Sequence, residues 1–307
     1  MMLKKLASVL TLVCAMGTAA LAQDPSELVF IFQKQKDPAK IQSDADKVAA
    51  FVGKEVGLPV KAVVPGDYSA SVQALVSKKA DFAYVSSMPF LLARRDGGAT
   101  LLLAEVRKGA DGVEKTNYNS IFVVPKDSKL QSVADLVKDA KQQRMVFTSP
   151  TSTSGYLMAY SRLVNEGLLK PKQDPREVFA SVAFGGGYTQ ALEQLLAGRG
   201  DVAAVSDYVL EGPRVDTYLK PEQREKLRIL DRTPGVPTHL IAARAGLSDG
   251  LKAKMKAALM KLATEQPEVL ADVYGATKFA EVNEDEHVKK AIEAVEQSGV
   301  AIEGLAK

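Results

Sequence analysis

The sequence predicts an α/β chain divided into two lobes, each built on a mainly parallel sheet. Three observations carry this expectation. Short β-prone apolar segments alternate with segments of helical periodicity, the alternation resumes after the middle of the chain, and 307 residues usually divide into more than one unit.

Glu27 to Gln33 reads as the first strand. From Ala39 to Gly57, Ile41, Ala45, Val48, Phe51 and Val52 recur on one helical face, and Gly57 ends the helix. Leu58 to Pro65 returns as a strand, Ser69 to Ala80 as a helix behind Asp67 and Tyr68, and Asp81 to Ser87 as a further strand. In the second half, strands are expected at Ser120–Pro125, Arg144–Pro150, Val178–Phe184 and Asp201–Ser206. Helices separate them at about Ser132–Ala140, after Gly155 and around Gln190–Ala197. Tyr118 to Ser128 reads as a strand leaving the first lobe and Leu227 to Arg244 as the return path. The expected division is therefore 23–122 plus 238–307 for lobe 1 and 123–237 for lobe 2. The stripes Leu251, Met255, Leu259, Leu262 and Val288, Ile292, Val295 are packing faces.

Lys4 and Lys5 precede an apolar stretch, Leu6 to Met16, and Ala20-Leu21-Ala22 forms an A-x-A cleavage signal, so residues 1–22 read as a secretory signal peptide and the protein as periplasmic. No later segment has the uninterrupted apolar length of a transmembrane helix. The single cysteine, Cys14, falls inside the leader, which excludes disulfide and thiolate chemistry from the exported chain. Without Lys4 and Lys5 the formal charge of +3 drops close to neutrality, which argues against nucleic-acid and membrane-surface partners. An anion site here must be built locally, from dipoles and hydroxyls.

Catalytic and metal signatures are missing. His239 and His287 are the only histidines, and neither has a second ligand at metal-site spacing. His287, in the charged run EDEHVKK, reads as a solvated helix residue; His239 follows Pro237 in an irregular segment and either faces an inter-lobe cleft or packs within a lobe. There is no G-x-S-x-G elbow and no GK[ST] loop, so neither an enzyme nor a cofactor is expected. The FGGGY stretch ending at Tyr188 is either a flexible turn or a backbone approach to a phosphate.

Most informative is Thr151 to Tyr156, TSTSGY, between a strand-like and a helix-like segment. Three hydroxyls and unpaired N–H groups at a helix start can hold an oxyanion, where the macrodipole also favours negative charge; the same residues can equally serve as ordinary N-caps.

Read in order, several segments resemble the periplasmic phosphonate, phosphite and phosphate binding proteins of ABC transporters. They are FIFQKQKDPAK, VPGDYSASVQAL, ADFAYVSSMPFLLA, YNSIFVVPKDSKLQSVADL, TSPTSTSGYL, the stretch from Val178 to Glu211, and TPGVPTHLIAAR. The resemblance implies a two-lobed type II periplasmic binding protein, a Venus flytrap with its ligand between the lobes. It implies Ser152, Thr153, Ser154 and Gly155 as a phosphoryl cradle, faced by Tyr68 and Tyr118 from the two sides of the cleft. Tyr188 stands where such proteins commonly carry histidine. Tyr208 and His239 stand where aminoalkylphosphonate binders carry carboxylates, with Asp207 beside them as a candidate acceptor. The implied ligand is a small phosphorus oxyanion (phosphite, phosphate or a small alkylphosphonate), the partner an inner-membrane ABC permease, and the protein a monomer. The alternative is an oxyanion sensor, for arsenic oxyanions among others, that presents its ligand to a histidine kinase.

Overall fold

The computed structural model describes residues 24–300; the expected signal peptide lies outside the described residues. Twelve strands run in chain order as β1 (Leu28–Phe32), β2 (Val60–Val63), β3 (Phe82–Val85), β4 (Thr100–Lys108), β5 (Glu114–Lys115), β6 (Asn117–Pro125), β7 (Arg144–Phe147), β8 (Ser181–Phe184), β9 (Val202–Ser206), β10 (Leu227–Pro237), β11 (Leu240–Ala243) and β12 (Lys278–Ala280). The α-helices are α1 (Pro38–Val56), α2 (Tyr68–Val76), α3 (Ser87–Gly97), α4 (Val133–Asp139), α5 (Ala159–Asn165), α6 (Tyr188–Leu196), α7 (Pro221–Arg224), α8 (Asp249–Glu265), α9 (Pro267–Tyr274) and α10 (Glu284–Ser298).

The strands form two sheets. The first has the order β12-β4-β11-β3-β1-β2 with β5 paired to β4, and the second β10-β6-β9-β7-β8. Parallel pairing, expected from the strand–helix–strand alternation, holds for β1 with β2 and β3 and for β7 with β8 and β9. The remaining ladders are antiparallel.

Local sequence explains the elements. In α1, the Asp37 side chain accepts from Lys40 N, Pro38 occupies the first turn, and Gly57 closes the helix in the left-handed region at φ 78°. Its Ile41, Ala45, Val48 and Val52 are buried against α8 and α9. At roughly 1.5–3 kcal/mol for a fully buried large aliphatic side chain, this face contributes more than the helix's intrinsic propensity.

Two expectations about the lobes change. The division at 122/123 falls inside β6, all of which pairs in the second sheet, with β9 on one side and β10 on the other. The last helix does not simply rejoin lobe 1. Val288, Ala291 and Ala294 of α10 enter the core shared with the second sheet, and Ser161 Oγ donates to Gln297 Oε1 at 2.9 Å. Towards the first sheet, Glu284 of the same helix pairs with Arg94 at 2.8 Å and accepts from Leu101 N. Its apolar stripe thus finds its packing surface on α5 and β10, while its first turn ties back across the molecule. Among the described residues no helix is long and apolar enough to cross a membrane.

Candidate functional site

Every parallel strand of both sheets delivers its carboxyl end to one region between the lobes, the place where open α/β sheets bind ligands. Gln33 and Gln35 follow β1, Tyr68 follows β2, Ser86 and Ser87 follow β3, Thr148 to Ser154 follow β7, Tyr188 follows β8, and Asp207 and Tyr208 follow β9. Tyr68, Ser87 and Tyr188 are the first residues of α2, α3 and α6, and Thr153 opens a π-helical turn, Thr153–Met158, that continues into α5.

The π-helical turn carries the TSTSGY run. Leu157 N reaches Ser152 O at 3.0 Å, one residue further back than an α-helical bond, and Thr148 N is fastened to Gly155 O at 3.0 Å. Gly155 must be glycine because of a close approach: a Cβ there would lie 2.1 Å from Thr148 Oγ1 and 2.9 Å from Ala204 O. The N–H groups of Thr153 and Ser154 precede the first intrahelical bond and have no acceptor within the turn.

The three hydroxyls do different things. Ser152 Oγ accepts from Gly155 N at 3.1 Å, so this residue is the N-cap. Thr153 Oγ1 accepts from Met88 N at 2.8 Å, reaching across to the start of α3. Ser154 Oγ meets Tyr188 Oη at 2.9 Å and Tyr118 Oη at 3.4 Å, while Ser120 Oγ donates to Ser154 O at 2.7 Å. All of Tyr68, Tyr118, Ser152, Thr153, Ser154 and Tyr188 are buried. The Tyr68 hydroxyl and Ser87 Oγ are buried without a hydrogen-bond partner, a state that costs about 1–3 kcal/mol each when left unsatisfied. Burial raises the phenols of Tyr68 and Tyr118 well above their ordinary range, so both are O–H donors at neutral pH.

Behind this cluster lies a second, internally paired network. Tyr208 Oη donates to Gln35 Oε1 at 2.9 Å, and Gln35 Nε2 faces His239 Nε2 at 2.9 Å. With the amide nitrogen as donor, His239 Nε2 is the acceptor and its proton sits on Nδ1, 3.9 Å from Glu105 Oε2. Burial, with Arg107 nearby, holds the imidazole well below its usual pKa and therefore neutral. Glu105 accepts from Tyr84 Oη at 2.6 Å and pairs with Arg107 at 2.9 Å, and the Arg107 guanidinium lies 3.4 Å from the centroid of the Tyr208 ring. Asp207 accepts from Asn119 Nδ2 at 2.5 Å, and burial raises its carboxyl pKa.

The structure thus gathers all ten expected residues into one inter-lobe region, with two roles among them. Tyr68, Tyr118, Ser154 and Tyr188 share the hydroxyl cluster; Tyr208 and His239 face Gln35 instead. Gln33, Gln35, Ser87, Glu105 and Arg107 were not anticipated; the legible signal was a pair of amides directly after an apolar strand and two opposite charges two apart on β4. His287 departs from expectation: it is half-buried, and its Nε2 lies 3.1 Å from Thr238 O. That carbonyl draws it inward from the charged run around it.

The profile of a family described as the periplasmic substrate-binding protein of ABC phosphonate transporters matches residues 30–287. Among curated proteins, the chain is 24% identical over 226 residues to the phosphate-import protein PhnD of Mycolicibacterium smegmatis, covering 71% of this chain and 68% of that one. It is 26% identical over 203 residues to the phosphonates-binding periplasmic protein of Escherichia coli, covering 66% of this chain and 56% of the relative. Among solved structures, the binding-protein component of an ABC phosphonate transporter from Pseudomonas aeruginosa superposes with a TM-score of 0.77 at 22% identity, over 92% of this chain and 90% of that one. A family profile spanning most of the chain, on a two-lobed fold with its polar residues gathered in the cleft, shows that this protein belongs to the periplasmic substrate-binding proteins of ABC phosphonate transporters.

Proposed function

We propose that this chain captures a small phosphorus oxyanion (phosphite, phosphate or a small alkylphosphonate) between its lobes and delivers it to an ABC permease without making or breaking a bond. One observation carries the reading. The starts of α2, α3, α6 and the π-helical turn converge on a region where Ser154, Tyr118 and Tyr188 cluster their hydroxyls and where Tyr68 Oη and Ser87 Oγ are buried without partners. A tetrahedral oxyanion supplies the acceptors those donors lack, and helix starts favour its charge.

Ligand oxygens are held by the Thr153 and Ser154 N–H groups and by the hydroxyls of Ser154, Tyr68 and Tyr118. Hydrogen bonds to a charged group contribute about 1.5–3 kcal/mol each, so a few of them support micromolar affinity. Ser87 completes the first lobe's contribution. An oxygen that keeps its proton needs an acceptor, and Tyr188 Oη can fill that role once Ser154 has turned to the ligand. The neutral His239 and the Gln35–Tyr208 pairing offer no free counter-charge to a ligand ammonium, which favours small ligands over aminoalkylphosphonates. The leader-like segment at residues 1–22 supports export to the periplasm.

The test is a thermal-shift panel of phosphate, phosphite, methylphosphonate, aminoethylphosphonate and sulfate, followed by calorimetry. A cognate ligand at about 100 times its dissociation constant stabilises the fold by roughly 2.7 kcal/mol. Ser154→Ala then weakens that ligand about tenfold or more. No shift with any phosphorus oxyanion would sink the assignment.

A further inference from the structure

Gln33 directly follows the apolar strand β1 and is fully buried, so its amide must find partners inside the protein. Its main chain is fixed on both sides: Gln33 N donates to Tyr84 O at 3.2 Å, and Gln33 O accepts from Tyr274 Oη at 2.7 Å. The side chain then reaches the start of α3. Gln33 Oε1 accepts from Ser86 N at 2.8 Å, and the Ser86 hydroxyl lies 3.3 Å from both Oε1 and Nε2. Since a backbone N–H only donates, the Ser86 contact fixes which end of the amide is the oxygen.

Ser86 is the N-cap of α3, yet its hydroxyl makes no capping bond. An N-cap side chain ordinarily accepts from the second or third residue of the helix. In α3 the second N–H, that of Met88, is taken by Thr153 Oγ1 of the other lobe at 2.8 Å, and the third residue is Pro89, which has none. That leaves the N–H of Ser87, which precedes the intrahelical bonds, and Ser87 Oγ is buried without a partner. Both donors of one residue therefore stand at a helix start, with the Ser86 hydroxyl drawn aside by Gln33. The same amide stands beside the Tyr68 hydroxyl, another buried donor without a partner; burial raises that phenol's pKa, and Gln33 opposes the rise.

We propose that Gln33 is a positioning residue of the oxyanion site: by holding Ser86 it sets the start of α3 so that the N–H and hydroxyl of Ser87 reach the ligand together. This rests on the oxyanion reading above and goes further, since that reading names donors and not what aims them.

The test uses phosphate, phosphite and methylphosphonate, with variant affinities measured by calorimetry on whichever binds the wild type most tightly. Gln33→Met keeps the length of the side chain and loses both polar atoms; affinity falls about tenfold, as it does in Ser87→Ala. The two losses do not multiply: the double variant binds within about twofold of Ser87→Ala, because Gln33 acts through Ser87. Gln33→Met combined with Ser154→Ala, by contrast, loses the product of the two single effects. A residue that merely supports the fold would multiply with both. Ser86→Ala, which removes only the hydroxyl, loses about threefold, again without adding to Ser87→Ala. Circular dichroism establishes that each variant is folded; if Gln33→Met is not, Ser86→Ala and its combination with Ser87→Ala decide. Wild-type affinity in a folded Gln33→Met overturns the proposal, as do wild-type affinity in Ser86→Ala or Ser87→Ala and full multiplication of Gln33→Met with Ser87→Ala. Wild-type protein that binds none of the three anions defeats the oxyanion reading itself, and this proposal with it.

Discussion

The hydroxyl of Thr153 accepts a hydrogen bond from the backbone N–H of Met88 at 2.8 Å, so one lobe supplies the N-terminal capping group for a helix of the other. Both residues are buried. A second bridge runs alongside it, from Tyr188 N to Gln35 O at 3.0 Å. Each ties one lobe to the other in this structure. Thr153→Val keeps the shape and removes the acceptor, leaving the Met88 N–H unsatisfied at about 1–3 kcal/mol. Ligand affinity is expected to fall five- to tenfold or more, read by calorimetry; an unchanged constant would show that the bond contributes nothing to closure.

Tyr68→Phe distinguishes a ligand donor from a structural one. The hydroxyl has no hydrogen-bond partner within the protein, so its removal costs the fold little. The unliganded melting temperature should hold or rise while ligand affinity drops about tenfold. A fall in both would mean that the hydroxyl supports the fold.

At Gly155 the smallest change is severe. A methyl group 2.1 Å from Thr148 Oγ1 and 2.4 Å from Thr148 Cβ cannot be accommodated unless the end of β7 moves away from the π-helical turn. Gly155→Ala should destabilise the protein by about 1–3 kcal/mol, the usual range for overpacking, and abolish measurable oxyanion binding. Denaturant melts and the thermal-shift panel check both halves; wild-type binding would refute the close-packing argument.

Lys36 gives a pH signature. Its ammonium is buried, donates to Asp272 O at 2.6 Å and lies 3.8 Å from Asp44; burial, opposed by Asp44, lowers its pKa to about 8. The unfolded lysine titrates near 10.5, so between pH 8 and 10.5 the unfolded chain binds a proton that the folded chain does not. Stability therefore rises with pH across that window, by about 3 kcal/mol for this group. Measured as a difference from Lys36→Met, wild-type stability should gain by that order from pH 8 to 10.5. A pH-independent difference would show that Lys36 titrates normally.

The parts of the site legible in the sequence are those whose signal is local. TSTSGY lies between a strand and a helix within a dozen residues, and Tyr68 and Tyr188 sit where a polar turn enters a helix, so the elements and the donors announce themselves together. The Gln35–His239 contact joins residues 204 positions apart, and nothing near either one marks the other. Strand β4 was hidden for a different reason. Leu102 to Arg107 is buried on both faces, Glu105 and Arg107 included, so two charges occupy positions that a sequence pattern assigns to solvent. With β4 unseen, Glu105 and Arg107 had no common face to share. The place of α10 was equally illegible, since an amphipathic stripe specifies that it must be covered but not which lobe covers it.

The cradle's groups are amides, serines and phenols, and the phenols of Tyr68 and Tyr118 keep their protons far above neutrality. If the proposed cradle holds the ligand, its Tyr68 and Tyr118 donors do not titrate between mildly acidic and mildly alkaline water. On the proposed function, the dependence of occupancy on acidity would then follow the protonation of the oxyanion and of the neighbouring Asp207, whose carboxyl pKa burial holds raised, rather than that of the phenols. With no formal cation among those proposed donors, occupancy should differ little between brackish and fresh water, because dissolved electrolyte has no ion pair there to screen.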